Sequence, residues 1–314
     1  MGTDPDLAKQ SSARRSGPRS GSVPDFPAAS FTHPVFDPLR PSLERLAGED
    51  WPDWARLDRL AAELGVAPCT ASGHAVRFVP PGAESASYEL RVFRTGTVHT
   101  RPCNWHDLFN ALAWIAYPHA KAAINALHAA RIPLEGKQRS PLRDMLTLID
   151  EGGVIVACDD AALVELARGF CWRELFWERR ARVVAGMRFL VIGHAVMEMA
   201  LAPWPGITCK AMFIEVGRAE LEGSPEALRA ALDLRAAEWF ETHAREATPR
   251  ALAPLPVFGY PGWLPQSAHA EFYDDARYFR PLRRGAVECA RELARQPLCT
   301  CAEESPGSTE QDAG

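Results

Sequence analysis

The sequence has no glycine-rich phosphate-binding loop, no dinucleotide-binding fingerprint and no Gly-x-Ser-x-Gly nucleophile elbow. Those absences weaken the ATPase, dehydrogenase and serine-hydrolase readings. It has no basic surplus either: 35 Lys and Arg stand against 40 Asp and Glu, for a net charge of −5. Nucleic-acid binders usually carry excess positive charge, so no nucleic-acid partner is expected. Arg179-Arg180 and Arg283-Arg284 read as solvated helix faces or loops. No apolar stretch occupies Met1 to Ser30, which argues against a secretory signal. Asp4, Asp6 and Asp25 argue against an organelle-targeting leader despite Arg14-Arg15, because such leaders avoid acids. The longest apolar stretch, Val183 to Ala202, is interrupted by Arg188, His194 and Glu198, each costly in lipid. A buried helix is expected there, with no membrane partner. The eight cysteines are scattered and read as reduced thiols of a cytoplasmic protein. Cys289 with Cys299-Thr300-Cys301 has neither the spacing nor the following histidine of a common zinc site. No internal repeat is present.

What is there is the composition of a globular protein: 314 residues, 47% hydrophobic and 24% charged. Residues 1–30, rich in Ser, Gly, Pro and Arg, read as a disordered leader. Residues 31–290 read as a single globular domain and 291–314 as a mostly flexible tail. Asp53 to Leu64 places Trp54, Leu57, Leu60 and Leu64 on one helical face, and Gly65 stops it. Tyr88 to Phe93 alternates like a strand, with Thr97 to Arg101 returning after Thr95-Gly96. Trp105 to Ala116 is helical, and Pro118 predicts a kink or a new helix running to about Arg131. Met145 to Ile149 and Val154 to Cys158 read as a hairpin around Asp150-Glu151-Gly152-Gly153. Asp159 or Asp160 caps a helix through about Arg168. A long helix is expected from Trp172 to about Leu201, a strand over Ile207 to Val216 and a helix over Pro225 to about His243. The Pro- and Gly-dense segment from Thr248 to Pro265 is too apolar for a linker and reads as ordered, extended chain. The expected class is α+β: a mostly helical single domain with a small antiparallel sheet.

Polar residues in unusual places mark candidate chemistry. Asn104 can cap the helix that begins at Trp105, and Asp107 suits its dipole. Capping leaves His106 unexplained. His106 shares a face with Asn110, and a neutral imidazole can ligate a metal or carry a proton. The bland reading is an N-cap with a histidine bonded to backbone. Lys121, Asn125 and His128 form one polar stripe, either lining a pocket or facing water. His106 and His128 would lie roughly 33 Å apart on an unbroken helix, so they approach only if Pro118 folds the chain back. Asp144, Asp150 and Glu151 offer hard oxygen ligands, although a turn alone explains the last two. His194 falls where the expected helix should present a core residue, with Glu198 four positions on. The two are either a structural pair or a metal or acid–base pair.

These segments resemble one family. Asn104-Trp105-His106-Asp107-Leu108-Phe109-Asn110-Ala111, Arg143-Asp144 with Leu146-Thr147, Asp150-Glu151-Gly152 and Gly193-His194-Ala195 with Glu198 are similar to a bacterial family, domain of unknown function number 3025. So are Pro256-Val257-Phe258-Gly259-Tyr260-Pro261-Gly262-Trp263 and the stretch from Phe272 to Pro281. The resemblance spans about residues 35–285. It implies a bacterial source and one family-wide domain, and it implies no activity. It also implies a Lys directly after the position of Glu198. This chain has Met199 there, so no role is carried over.

The sequence-level expectation is an enzyme, a metal-assisted hydrolase acting on a small molecule. His106, Asp107, His194 and Glu198 are its metal ligands or acid–base groups. Asn110, Lys121, Asn125, His128, Asp144, Asp150 and Glu151 surround the substrate, and a divalent metal is the expected cofactor. The alternative is a non-catalytic binding or scaffold protein, with these residues structural and the segment 254–265 as a partner surface. No oligomeric state follows from the sequence.

Overall fold

A computed structural model describes residues 31–82, 87–135, 138–243 and 248–282. The expected leader (1–30) and tail (291–314) lie outside the described residues. In chain order the elements are α1 (Arg40–Arg45), α2 (Trp54–Glu63), β1 (Arg77–Val79), α3 (Tyr88–Thr95), β2 (Thr97–His99), α4 (Trp105–Ala116), α5 (Pro118–Arg131) and α6 (Pro141–Gly152). There follow β3 (Gly153–Cys158), α7 (Ala161–Arg168), a π-helical turn (Glu174–Glu178), α8 (Arg180–Gly186), β4 (Met187–Val191) and α9 (His194–Met199). β5 (Thr208–Glu215), α10 (Arg218–Leu221), α11 (Pro225–His243) and β6 (Ala253–Pro256) complete the set.

The class is α+β and mostly helical. The sheet, however, is mixed rather than antiparallel. Its strand order is β4-β3-β5-β6. β3 runs parallel to β5, with Gly153 opposite Lys210, and antiparallel to β4, with Val154 opposite Val191. β5 and β6 are antiparallel, with Thr208 opposite Pro256. β1 and β2 form a separate parallel pair. All six residues of β3 are buried. A strand covered on both faces reads as a continuous apolar run, which hides its period.

Three expectations are corrected. Tyr88 to Phe93 is helix α3, not a strand. It ends at Gly96, whose φ of +71° and close approach to the Ala75 carbonyl admit only glycine. Met145 to Ile149 is helix α6: Ser140 caps it, Pro141 opens it, and Leu142, Met145, Leu146 and Ile149 pack inward at spacings of three and four. Asp150 and Glu151 therefore sit on its last turn and not in a hairpin. Finally, Trp172 to Leu201 is not one helix but the π-helical turn, α8, β4 and α9. Val183 to Ala202 crosses three elements, and among the described residues no helix is long and apolar enough to span a membrane.

The helices expected over 53–64, 105–116, 118–131, 159–168 and 225–243 are present, whereas α1 and α10 have no counterpart among the sequence expectations. Asp53 caps α2, Asp160 caps α7, and α5 starts at Pro118 after a break at Tyr117. The start of α4 is pinned by rings. Trp105 stacks on Phe109 (5.8 Å) and meets Phe31 edge-on (5.7 Å) and Trp51 edge-on (4.6 Å). Each such pair contributes about 0.5–1.5 kcal/mol beyond burial, which fixes the turn that carries His106.

Candidate metal centre

Three segments distant in sequence meet at one end of the sheet. His106 is the second residue of α4. Glu151 lies on the last turn of α6, directly before β3. His194 opens α9, three residues after β4 ends. Close backbone packing brings the last two together: Gly193 N–H and Ile192 N–H both donate to Gly153 O, at 3.0 and 3.1 Å. A Cβ on Gly193 would stand 2.5 Å from Gly153 N and 2.6 Å from Glu151 O, so only glycine permits this approach.

The imidazoles of His106 and His194 face each other through Nε2, 3.1 Å apart. His106 Nδ1–H donates to Glu198 Oε2 at 3.1 Å. His194 is 4% exposed. Its Nδ1 has no hydrogen-bond partner, and Asp150 Oδ2 lies 4.0 Å away. Glu151 contributes a carboxylate oxygen, and that atom and one ring nitrogen of each histidine all lie within 4.8 Å of one another. Burial pushes the His194 pKa down to about 4; Asp150 opposes the shift, and Lys121 and His106 add to it. His194 is therefore neutral at pH 7, the form a metal requires.

This arrangement suits one divalent ion. With nitrogen–zinc distances of about 2.0–2.1 Å, two histidine nitrogens on a common ion are about 2.9 Å apart at a right angle and about 3.3 Å at a tetrahedral angle. The observed 3.1 Å lies between. The bond from His106 Nδ1–H to Glu198 directs the His106 Nε2 lone pair at His194; with no hydrogen bond at its Nδ1, His194 either carries the proton of that contact on Nε2 or presents a second lone pair there. Two facing lone pairs need a proton or a cation between them. The Glu198–His106 contact is the carboxylate–histidine arrangement that commonly fixes a metal ligand's tautomer.

Behind His194 lies a buried polar network. Lys121, 3% exposed, donates to Asp150 Oδ1 and to Asn110 Oδ1 (2.9 Å), and Asn110 Nδ2 donates to Tyr88 OH (3.0 Å). Burial raises the Asp150 pKa, but Lys121, His194 and His128 together outweigh it and hold the carboxyl below its usual range. Further along α5, Asn125 Nδ2 donates to Glu89 Oε2 (2.7 Å), and Arg143 Nε donates to His128 Nδ1 (3.3 Å). Burial, then the Asp150 charge, pushes Glu89 up to about 7. Burial pushes His128 down to about 4.

The fold thus brings together His106, His194, Glu151, Glu198, Asp150, Lys121 and Asn110. The break before Pro118 does fold α5 back onto α4, as Lys121 and Asn110 demonstrate. Two acids are engaged elsewhere. Asp107 is held by Arg101 Nε and Nη2, both at 2.8 Å, and Asp144 faces Arg139 at 4.0 Å. Glu198, expected to be a buried carboxylate, is 45% exposed because α9 is a short surface helix and not the middle of a long buried one. Sequence reasoning missed Tyr88 and Glu89, which the strand assignment placed on opposite faces of a sheet.

Residues 76–283 match the family model described as "Protein of unknown function (DUF3025)". No curated protein and no solved structure matches the chain.

Proposed function

The chain belongs to the DUF3025 family, which assigns it no reaction, and from its own geometry we propose that it is a metal-dependent hydrolase of a small-molecule substrate. His106 Nε2, His194 Nε2 and the Glu151 carboxylate are the ligands. Glu198 orients His106 from outside the coordination sphere, and Asp150, held by Lys121, faces the far side of His194. Three protein ligands are the number found in catalytic zinc sites, which keep a fourth position for water; structural sites close with four. A divalent ion bound there lowers the pKa of water towards neutrality and so supplies the nucleophile of a hydrolysis. Asp107 is left out of the ligand set because Arg101 already occupies both its oxygens.

One observation carries the reading: two Nε2 atoms 3.1 Å apart, on histidines grouped with the Glu151 carboxylate, with the His106 Nδ1 bonded to Glu198. Elemental analysis of the purified full chain tests it. About one equivalent of a divalent metal is expected, lost in His106→Ala and His194→Ala while circular dichroism shows an intact fold. A metal-free protein, indifferent in thermal stability to added Zn²⁺, Mn²⁺ or Co²⁺, defeats the metal site. The hydrolase reading is tested separately. Turnover of a panel of chromogenic esters and phosphoesters should vanish with chelator and return with metal. A stoichiometric metal with no turnover leaves a non-catalytic binding protein instead.

A further inference from the structure

One end of the sheet gathers the start of β3, the end of β4, the start of β5 and the end of β6. The His106 group belongs to the β3–β4 half. The β5–β6 half carries a separate cavity of about 320 Å³ whose lining includes Thr208, Pro254 and Pro256.

Its walls are aromatic. Phe170, Trp172 and Tyr278 line it. Trp204 meets Tyr278 edge-on at 6.2 Å and lies across lining residue Gly206, where a Cβ would collide with the indole at 1.7 Å. Trp204 nonetheless stays 50% exposed. Phe170 holds φ +57°, in the left-handed turn that ends α7, where glycine is usual. A side chain costs about 1–2 kcal/mol there. The ring kept at that cost packs against Trp172 at 5.3 Å.

The charge is one-sided. Arg280 lines the cavity, and among the described residues no carboxylate pairs with it; its Nε donates only to Arg277 O at 3.4 Å. The neighbouring Arg277 is already neutralised by Asp275. Lys210 lies two residues beyond Thr208, on the same face of β5 and opposite lining residue Pro254. It is half-buried, has no anionic partner among the described residues, and burial pushes its pKa down. A partly buried cation without a partner is unfavourable until an anion arrives.

We propose that this cradle binds a flat aromatic ring carrying an anionic group, the chemistry shared by a nucleotide and an aryl carboxylate. The rings of Trp204, Phe170 and Tyr278 offer stacking faces. Arg280 and Lys210 meet the anion through charge-assisted hydrogen bonds. The volume is at the small end for ligand sites and suits one ring system. The proposal stands apart from the metal reading and uses none of its residues.

Isothermal titration of the full chain with AMP and with 2-naphthoate tests it, with adenosine and 2-naphthylmethanol as uncharged counterparts. At least one anion should bind with a Kd below about 1 mM, and its counterpart about tenfold more weakly. Binding of AMP alone identifies the nucleotide source; binding of 2-naphthoate alone identifies aryl acids. Trp204→Ala and Arg280→Ala, both at exposed side chains, should each weaken binding about fivefold or more. Lys210→Met should weaken binding while raising thermal stability, whereas a lysine with a structural role alone would change stability only. Silence of both anions, equal binding of the uncharged forms, or indifference to Trp204→Ala and Arg280→Ala overturns the proposal.

Discussion

Replacing Asp150 by Asn should be among the most damaging single changes in the polar interior. Lys121 is 3% exposed, and its ammonium rests on two acceptors, Asp150 Oδ1 and Asn110 Oδ1. Asn keeps the shape of Asp150 but removes the one anion that, among the described residues, is paired with that ammonium. Breaking a buried pair from one side typically costs about 3–5 kcal/mol, because the other charge stays buried and uncompensated. For a folded region of this size each kcal/mol shifts Tm by about 2–4 °C, so a fall of roughly 6–20 °C is expected. Lys121→Met/Asp150→Asn removes both charges and should recover most of the loss, since a matched apolar replacement of a buried pair is often near neutral. Urea denaturation at pH 7.5 with excess chelator measures all three proteins free of any metal contribution. A loss below about 1 kcal/mol in Asp150→Asn, or a double variant as unstable as the single effects added together, would refute the reasoning.

Stability without metal should fall as pH drops from about 6.5 to about 4. His194 and His128 stay neutral in the fold down to about 4, while the unfolded chain protonates its histidines near 6.5. Each contributes on the order of 2–3 kcal/mol, readable as Tm against pH, and a flat profile over that window contradicts it. Glu89 works in the opposite direction: its folded pKa of about 7 lies above the ordinary 4.5, so its protonation in the fold partly offsets the histidines. Glu89→Gln should therefore steepen the acid-side fall and raise Tm at pH 8, and equal effects at both pH values count against this assignment. Gly193→Ala forces a Cβ into Gly153 N and Glu151 O. It should destabilise by about 1–3 kcal/mol and reduce metal retention on a desalting column; wild-type retention would show that the close approach is not needed. Glu198→Gln should weaken metal affinity by about 10–100-fold in a competition titration, and an unchanged affinity removes its orienting role.

The helices with punctuation were legible in the sequence. Asp53, Asn104, Asp160 and Pro118 each mark a start, because capping and the missing proline N–H are local effects. Short apolar runs without punctuation were not. Met145 to Ile149 fits strand or helix equally well, and only Ser140-Pro141 upstream settles it as α6. Val183 to Ala202 kept an apparent helical stripe through β4 because that edge strand is buried at four of its five positions, on both faces, and so shows no alternation. His194 was singled out as a polar residue in a core stripe. That stripe does not exist, yet the residue is buried, since the turn after β4 drives it inward beside Glu151. The partnership of His106 with His194 is non-local, so neither segment's pattern carries it. It depends on the packing of α4 against α9 and on the glycine contact across β3 and β4.

The three candidate ligands also divide the chain into two long loops, from His106 to Glu151 and from Glu151 to His194. An ion gripping all three would act as a removable cross-link. Tying off loops of roughly forty residues lowers the entropy of the unfolded chain as a disulfide does, by an amount that in the loop-closure picture reaches about 4 kcal/mol for one such loop. Resistance to proteolysis would then vary with the metal supply around the protein, and the chain would report its own loading through its lifetime.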